Sequence, residues 1–433
     1  MSRRNFLLLI GFSLICTMCF MRTERNPYAR YLGQVFHDID RWALERVPPS
    51  ELFDGAVDGM VDLLDEHSAY IGAQDTPQFE ADLEQEFGGI GVVVMLEGEP
   101  EQLTVVSPPM YGTPAHKAGI RSGDVILAID GEATDGMTMR QILRKMRGQQ
   151  GEAIELSIRH EDSDSPESIE LVRNIINIPS LLGDLRRDDG LWDFHVAQAP
   201  EVGYIRIASF GEKTVGELEE ALAQVRAQGA RGLILDLRDN PGGLLDAAVD
   251  ICDMFLGRDR AIVTIESRQN SETMRSSGGG LYQDMALVVL VNQNSASASE
   301  ILAGCLKDHE RAAIAGQRTY GKGTVQQVIR IESGRSILKL TTARYVRPNG
   351  HNIHRREGAG EDEEWGVHPD PQLAVSLTDE ERSEWFTYRN RRDLRGPGEA
   401  DTLSELSEND PQLYRAVEYL QNRSAEHVAG RAA

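Results

Sequence analysis

Three short stretches of this chain set reactive side chains beside turns that expose backbone. In NSASASE, Asn294 to Glu300, serines stand at Ser295, Ser297 and Ser299 directly after the apolar run ALVVLVN. A buried strand that turns sharply into a helix projects a hydroxyl from the end of a sheet. Amides at the helix start can then donate to a developing oxyanion. Ser297 and Glu300 also have the S-x-x-E spacing of a capping box, in which the hydroxyl only caps the helix. The two readings make opposing demands on one side chain.

A serine nucleophile needs a base, and GQRTYGKGTVQQ offers Lys322 between Gly321 and Gly323. If the chain is extended there, Lys322, Thr324 and Gln326 share a face, and the Gln326 amide can orient the Lys322 amine. Acting near neutral pH requires lowering a lysine pKa by roughly 3 units from about 10.4, about 4 kcal/mol, which burial can supply. For a lone lysine beside glycines, a solvated turn is the ordinary reading. The third stretch, DLRDNPGGLL from Asp236, puts Asn240-Pro241-Gly242-Gly243 between a buried strand and a helix. Gly242 or Gly243 can give one oxyanion donor and Ala298 another, although a simple strand-to-helix turn accounts equally well for this stretch alone.

Rival chemistries meet specific obstacles. From Gly316 the sequence resembles a phosphate loop, G-x-x-x-x-G-K-[ST], but Gly323 stands where a hydroxyl must bind magnesium. No H-E-x-x-H occurs, and His351 and His354 lack helical context and an obvious third metal ligand. A Ser-His-Asp triad is assembled in space and stays open, although His195, His309 and His368 sit in no recognisable motif. No metal or organic cofactor is expected.

The elements that would position these groups follow from the hydrophobic pattern. Residues 1–27 carry Arg3 and Arg4 ahead of sixteen uncharged, mostly apolar residues from Phe6 to Met21, the pattern of an export signal or short membrane anchor. No small-x-small cleavage site follows, which favours an uncleaved anchor. Residues 28–82 have helical spacing, with a Pro48-Pro49 break and Ser50 as a candidate cap. Residues 83–178 read as a β-rich module of short runs such as GVVVM, LTVVS and DVILAID, with one helical stretch, TMRQILRKMRG. From 179 to 376, continuous apolar strands such as GLILDL and ALVVLV alternate with amphipathic helices, predicting a mostly parallel sheet covered on both faces. Ligands on such sheets gather at the strand ends. Residues 377–433 read as a charged tail, helical toward its end, around a loose GPGEAD link.

Composition narrows the partners. The 433 residues carry 69 acidic and 45 basic side chains, a formal charge of −24 that disfavours nucleic acid and anionic lipid as partners. With Cys16 and Cys19 in the leading segment, only Cys252 and Cys305 remain, and they read as buried apolar residues rather than a disulfide framework. In the β-rich module FGGIGVVV, the loop Gly88-Gly89-Ile90-Gly91 enters a strand. Its amides can hold a carboxylate while the strand edge pairs with an extended peptide, although a hairpin bend is an equally ordinary use of such a loop.

Taken together and in this order, LLDEHSAYI, FGGIGVVV, PAHKAGIRSGDVILAIDG, LILDLRDNPGG, SASASEILAG, TYGKGTVQQ, LTTARYVRPNG and GVHPD resemble the C-terminal-processing peptidases, tail-specific serine endopeptidases of bacterial envelopes and plastids. The resemblance runs from about Gln34 to Gln372 and includes DPQLYRAVEYL near the end. It implies a crotonase/ClpP-like α/β catalytic core with an inserted PDZ domain and a helical N-terminal region. Ser297 falls on the family's nucleophile, Lys322 on its general base, and Gln326 on the residue that positions the lysine. Ala298 and Gly243 fall on its oxyanion donors, and Gly88, Gly89, Ile90 and Gly91 on the PDZ peptide-binding loop. The implied partners are the C-terminal segments of exported or envelope polypeptides, with the oligomeric state open and a homodimer compatible. A catalytically silent, membrane-anchored PDZ scaffold is the alternative. Asn294 departs from the glycine that many members have, and IHRREGAGEDEEWGVHPD is longer and more acidic than the usual link.

Overall fold

The computed structural model describes residues 26–432 apart from 85, 99–100, 108, 161–162, 164, 188–190, 357, 361 and 394–400. The expected export segment up to residue 25, with Cys16 and Cys19, and nearly all of the GPGEAD link lie outside the described residues. The chain divides into two compact units. The smaller takes Gln326–Thr341 together with the N-terminal residues up to Thr76, and the larger takes Pro77–Val325 and Thr342–Ala433.

In the smaller unit, helix Pro27–Trp42 is capped by the Asn26 side chain, which accepts from the Tyr28 amide. The next helix, Pro49–Val61, begins one residue before the expected cap: Pro48 is the N-cap, and Ser50 is already inside the first turn. Proline's fixed φ and missing N–H suit the first helical position, so Pro49 starts the helix without a side-chain cap. The strand Ala69–Ile71 pairs antiparallel with the late strand Ser336–Val346, Ala69 opposite Lys339 and Ile71 opposite Ile337. The hairpin tip at 326–341, read from sequence as part of the core, is thereby joined to the N-terminal region.

The larger unit contains two β-systems. The first is the β-rich module, a sheet in the order Val93–Glu97, Gln102–Ser107, Val125–Ile129, Ala153–Arg159, Glu167–Val172. Helix Met139–Met146, held by a Thr138–Gln141 capping box, covers a core that includes Leu103, Val105, Ile126, Ile142, Ile154 and Leu156. Strand Val93–Glu97 forms one edge and alternates in exposure, with Val93 and Met95 turned outward.

The second system carries the candidate chemistry. Strands Ala199–Ile207, Gly232–Asp236, Ala286–Val291 and Ala313–Gly316 run parallel, and Leu181–Leu182 adds an antiparallel edge. Every residue of Gly232–Asp236 is buried, as a sheet covered on both faces requires. Helices Thr214–Ala227, Leu245–Phe255 and Ala298–Asp308 pack one face through Leu222, Ile251, Phe255 and Leu302. The other face is covered by the chain's end, where Leu406, Leu413, Ala416, Val417 and Leu420 pack on Tyr204, Ile234 and Val288. Residues 377–433 thus supply a layer of the core, because the LYRAVEYL spacing gives helix Pro411–Ala432 an apolar stripe beneath its charges.

Candidate active site

Parallel strands release their chain at the same end, and here three consecutive strand ends feed the three stretches singled out from sequence. Asp236 aligns with Leu290, and Val291 with Gly316, so the NPGG turn, the serine elbow and the lysine loop start from one rim of the sheet. That rim is where open α/β sheets place ligands.

The elbow resolves the three serines. Ser295 and Ser299 are fully buried, and their hydroxyls donate to the carbonyls of Leu237 at 2.7 Å and Asn240 at 3.0 Å. Both bonds tie the elbow to the NPGG turn, as does the Ala296 amide donating to the Asn240 carbonyl at 3.0 Å. Ser297 differs in backbone and in exposure. Its φ of 55° and ψ of −113° lie outside the ordinary N-cap region, in a strained conformation that L-residues rarely adopt. It also keeps 8% exposure, where Ser295 and Ser299 have none.

Glu300 supplies half of the expected capping box and more besides. Its Oε2 accepts the Ser297 amide at 3.0 Å and the Lys322 amide at 2.8 Å, while Oε1 accepts the Gly321 amide at 2.7 Å and the Thr319 hydroxyl at 2.5 Å. One carboxylate oxygen therefore holds the backbone nitrogens of Ser297 and Lys322 within two hydrogen-bond lengths of each other. Burial pushes this carboxyl up to about 7, against the opposing pull of its four donors. Sequence flagged Glu300 through S-x-x-E, but its bonds to residues 319–322 left no local signal.

The lysine loop is braced from outside as well. The Arg355 amide donates to the Gly321 carbonyl at 2.8 Å, and the guanidiniums of Arg318 and Arg355 both stack on the Trp365 ring. At Gly321, φ is +89° and a Cβ would approach Arg355 Cβ to 2.8 Å, so only glycine fits. Through Arg355 and Trp365, the segment that is longer and more acidic than the usual link packs on the loop that carries Lys322. That loop continues into strand Thr324–Ile331 rather than a helix, which removes the helix N-terminus a phosphate loop uses.

The oxyanion candidates separate by their hydrogen bonds. The Gly242 amide donates to the Asn240 side chain at 2.8 Å. Among the described residues, the amides of Gly243 and Ala298 donate to no protein acceptor. A Cβ on Gly242 would lie 2.8 Å from Ser297 Cβ and one on Gly243 2.1 Å from the Phe210 carbonyl oxygen, so the turn passes tightly between the elbow and Phe210. Asn294, in place of glycine, donates to the Asp239 carboxylate at 2.7 Å and fastens the elbow once more.

Gln326 belongs to the smaller unit, where its Nε2 donates to Thr341 Oγ1 at 3.2 Å and Thr341 Oγ1 in turn donates to Asp65 at 2.9 Å. In the β-rich module, Gly88 and Gly89 lie in strand Glu86–Gly89, paired with Ile175 and Asn174, so only Ile90 and Gly91 remain as loop. The Ile90 and Gly91 carbonyls accept from Ala115 and Met110, which fixes the loop against the module. Of the histidines, His309 spends both ring nitrogens on Ala261 and Arg260, and His195 turns one to Asp193. Among the described residues no group of three or more His, Cys, Asp or Glu is placed to hold a metal, and no helix is long and apolar enough to cross a membrane.

Comparison with known proteins points the same way. The profile of peptidase family S41 matches residues 201–372, and that of a PDZ domain matches 105–160. A carboxy-terminal-processing protease of Bartonella bacilliformis is 36% identical over 340 residues, covering 76% of this chain and 74% of its own. A carboxyl-terminal-processing protease of Synechocystis is 34% identical over 332 residues, covering 75% of each chain. A solved structure titled photosystem II D1 C-terminal processing protease is 27% identical, covers 81% of this chain and 93% of its own, and aligns at a TM-score of 0.45. The chain belongs to the carboxy-terminal-processing proteases of peptidase family S41 and is a serine-type peptidase with a PDZ domain.

Proposed function

We propose that this peptidase cleaves exported or envelope polypeptides near their C-termini with Ser297 as nucleophile and Lys322 as general base. The amine takes the Ser297 proton as Oγ attacks the scissile carbonyl, the leaving amine departs with a proton, and water releases the acyl-enzyme. Gly243 and Ala298 donate their amides to the oxyanion. Gln326 orients the lysine. The observation that carries this reading is the elbow: two of its three serines are consumed by backbone carbonyls, while the third is strained and shares Glu300 Oε2 with Lys322.

The PDZ domain recognises the substrate's C-terminal region, its exposed edge strand Val93–Glu97 pairing with an extended peptide that ends at Ile90 and Gly91. The N-terminal segment exports or anchors the enzyme on the outer side of the membrane. Cleavage of an unfolded protein by purified Ser297→Ala and Lys322→Ala enzymes tests the chemistry. Each substitution should lower the rate on the order of 10⁴-fold. Wild-type rates in either variant would refute the assignment.

A further inference from the structure

LLDEHSAYI holds no group of the proposed chemistry, yet its turn at 65–68 closes around Thr341, a residue of the same smaller unit. Asp65 Oδ1 accepts the amides of His67 at 3.0 Å and Ser68 at 3.1 Å, and Oδ2 accepts the Ser68 hydroxyl at 2.9 Å. The turn so shaped holds Thr341 twice. The Thr341 amide donates to Ser68 Oγ at 3.1 Å, and the Thr341 hydroxyl donates to Asp65 Oδ1 at 2.9 Å. The next residue, Ala69, opens the strand ladder opposite Lys339, so the grip is continuous with the sheet. Burial pushes the Asp65 carboxyl up, but the hydrogen bonds from Thr341, Ser68 and the two amides more than offset that and hold it below the usual carboxylate range.

These bonds have a direction. An ionised carboxylate only accepts, so Thr341 spends its one proton on Asp65 and offers its lone pairs to a donor. That donor is Gln326 Nε2, at 3.2 Å. An amide has a donor end and an acceptor end, and committing Nε2 to Thr341 makes Oε1 the end that can receive an amine N–H. We propose that Asp65 and Thr341 are positioning residues of the catalytic base, a relay that fixes the Gln326 amide with its carbonyl oxygen as acceptor for the Lys322 amine. This rests on the reading in which Gln326 orients Lys322. The amine needs its lone pair for the Ser297 proton, and accepting one of its N–H groups at Oε1 aims that lone pair. An amide turned the other way would present Nε2, a donor that competes for the same lone pair. As the proton passes from Ser297 Oγ to Lys322 Nζ, the relay keeps its own protons, so its effect falls on kcat rather than KM.

Thr341→Val removes the hydroxyl, keeps the branched shape and lets the amide turn. The test measures kcat and KM for a peptide substrate in Thr341→Val, Thr341→Ser, Gln326→Ala and the double variant Thr341→Val/Gln326→Ala, all normalised to end-point active-site titre. The expected result for Thr341→Val is a kcat about tenfold below wild type with KM within about twofold. Thr341→Ser should restore kcat to within about threefold of wild type, and the double variant should be no slower than Gln326→Ala alone. A wild-type kcat in Thr341→Val, a change confined to KM, or losses that multiply in the double variant would each overturn the relay, the last because the threonine would then act by another route. Gln326→Ala separates the two levels. If it is slowed while Thr341→Val is not, the relay alone fails. If it keeps the wild-type kcat, the orienting role of Gln326 fails and the relay with it.

Discussion

Two buried carboxylates, Glu300 in the first turn of helix Ala298–Asp308 and Asp236 at the end of strand Gly232–Asp236, are satisfied in opposite ways. Glu300 is surrounded by three amides and a hydroxyl, with no cation among those four donors. Asp236 is gripped by the Arg238 guanidinium, which also pairs with Asp410 from the C-terminal region; the Tyr204 hydroxyl adds a further bond at 2.7 Å. Burial pushes both carboxyls up, but at Asp236 the guanidinium more than offsets that and holds the group below the usual carboxylate range. Dipoles leave Glu300 near neutrality, whereas a paired charge fixes Asp236 as an ion. The first is a junction whose charge can change within the working range, and the second is a permanent clamp joining the last helices to the strand before NPGG.

The clamp should show the largest stability effect. Arg238→Ala strands two buried carboxylates and should destabilise the larger unit by about 3–5 kcal/mol, read as a lowered urea midpoint at pH 7. The loss should shrink as pH is lowered and Asp236, no longer held down by the guanidinium, takes up a proton. A pH-independent loss would deny that charge is what the clamp holds.

The junction predicts an opposing pH trend. Burial lifts the folded Glu300 carboxyl from its ordinary 4.5 to about 7, so between these the folded protein keeps a proton that the unfolded chain releases. Its contribution to stability therefore falls as pH rises through that window, by about 3 kcal/mol in all, and is level above it. Activity should move the other way, because only the ionised carboxylate accepts all four donors and holds Ser297 and Lys322 in register. Glu300→Gln should flatten this part of the stability profile and leave an enzyme impaired at every pH. Urea titrations and peptide cleavage at pH 5 and pH 8 measure both, and parallel trends in the wild-type protein would contradict the account.

The smallest effects belong to the flanking serines. Ser295→Ala leaves the buried Asn292 amide, which donates to Ser295 Oγ at 3.0 Å, without its acceptor and should cost about 1–3 kcal/mol. Ser299→Ala should cost about 1 kcal/mol, since the Asn240 carbonyl retains the Ala296 amide. Cleavage per folded molecule should stay within a few-fold of wild type in both. A thousandfold loss in either would undo the distinction drawn between these serines and Ser297.

The parts of this site legible in sequence are those written locally. The apolar runs before NPGG and NSASAS, with amphipathic helices behind them, gave the parallel sheet and its active rim, and S-x-x-E drew attention to both Ser297 and Glu300. What escaped depends on residues far apart in the chain. The Asp236–Arg238–Asp410 clamp spans 172 positions between Arg238 and its tail partner, and Glu300 reaches the amides of Gly321 and Lys322 in the next loop. The chain's end looked like a charged tail because charges on one side of helix Pro411–Ala432 masked the stripe that covers the sheet. Gly88 and Gly89 read as loop because glycine favours turns, yet their ladder with Asn174 and Ile175 is a tertiary pairing.

The central claim is that Ser297 is the nucleophile and Lys322 its base, and covalent labelling tests it most directly. Full-length enzyme treated with a fluorophosphonate and digested for mass spectrometry should carry one adduct per chain, on Ser297, and Lys322→Ala should suppress its formation. An adduct on another residue, or Ser297 labelled at an undiminished rate without Lys322, would contradict the account.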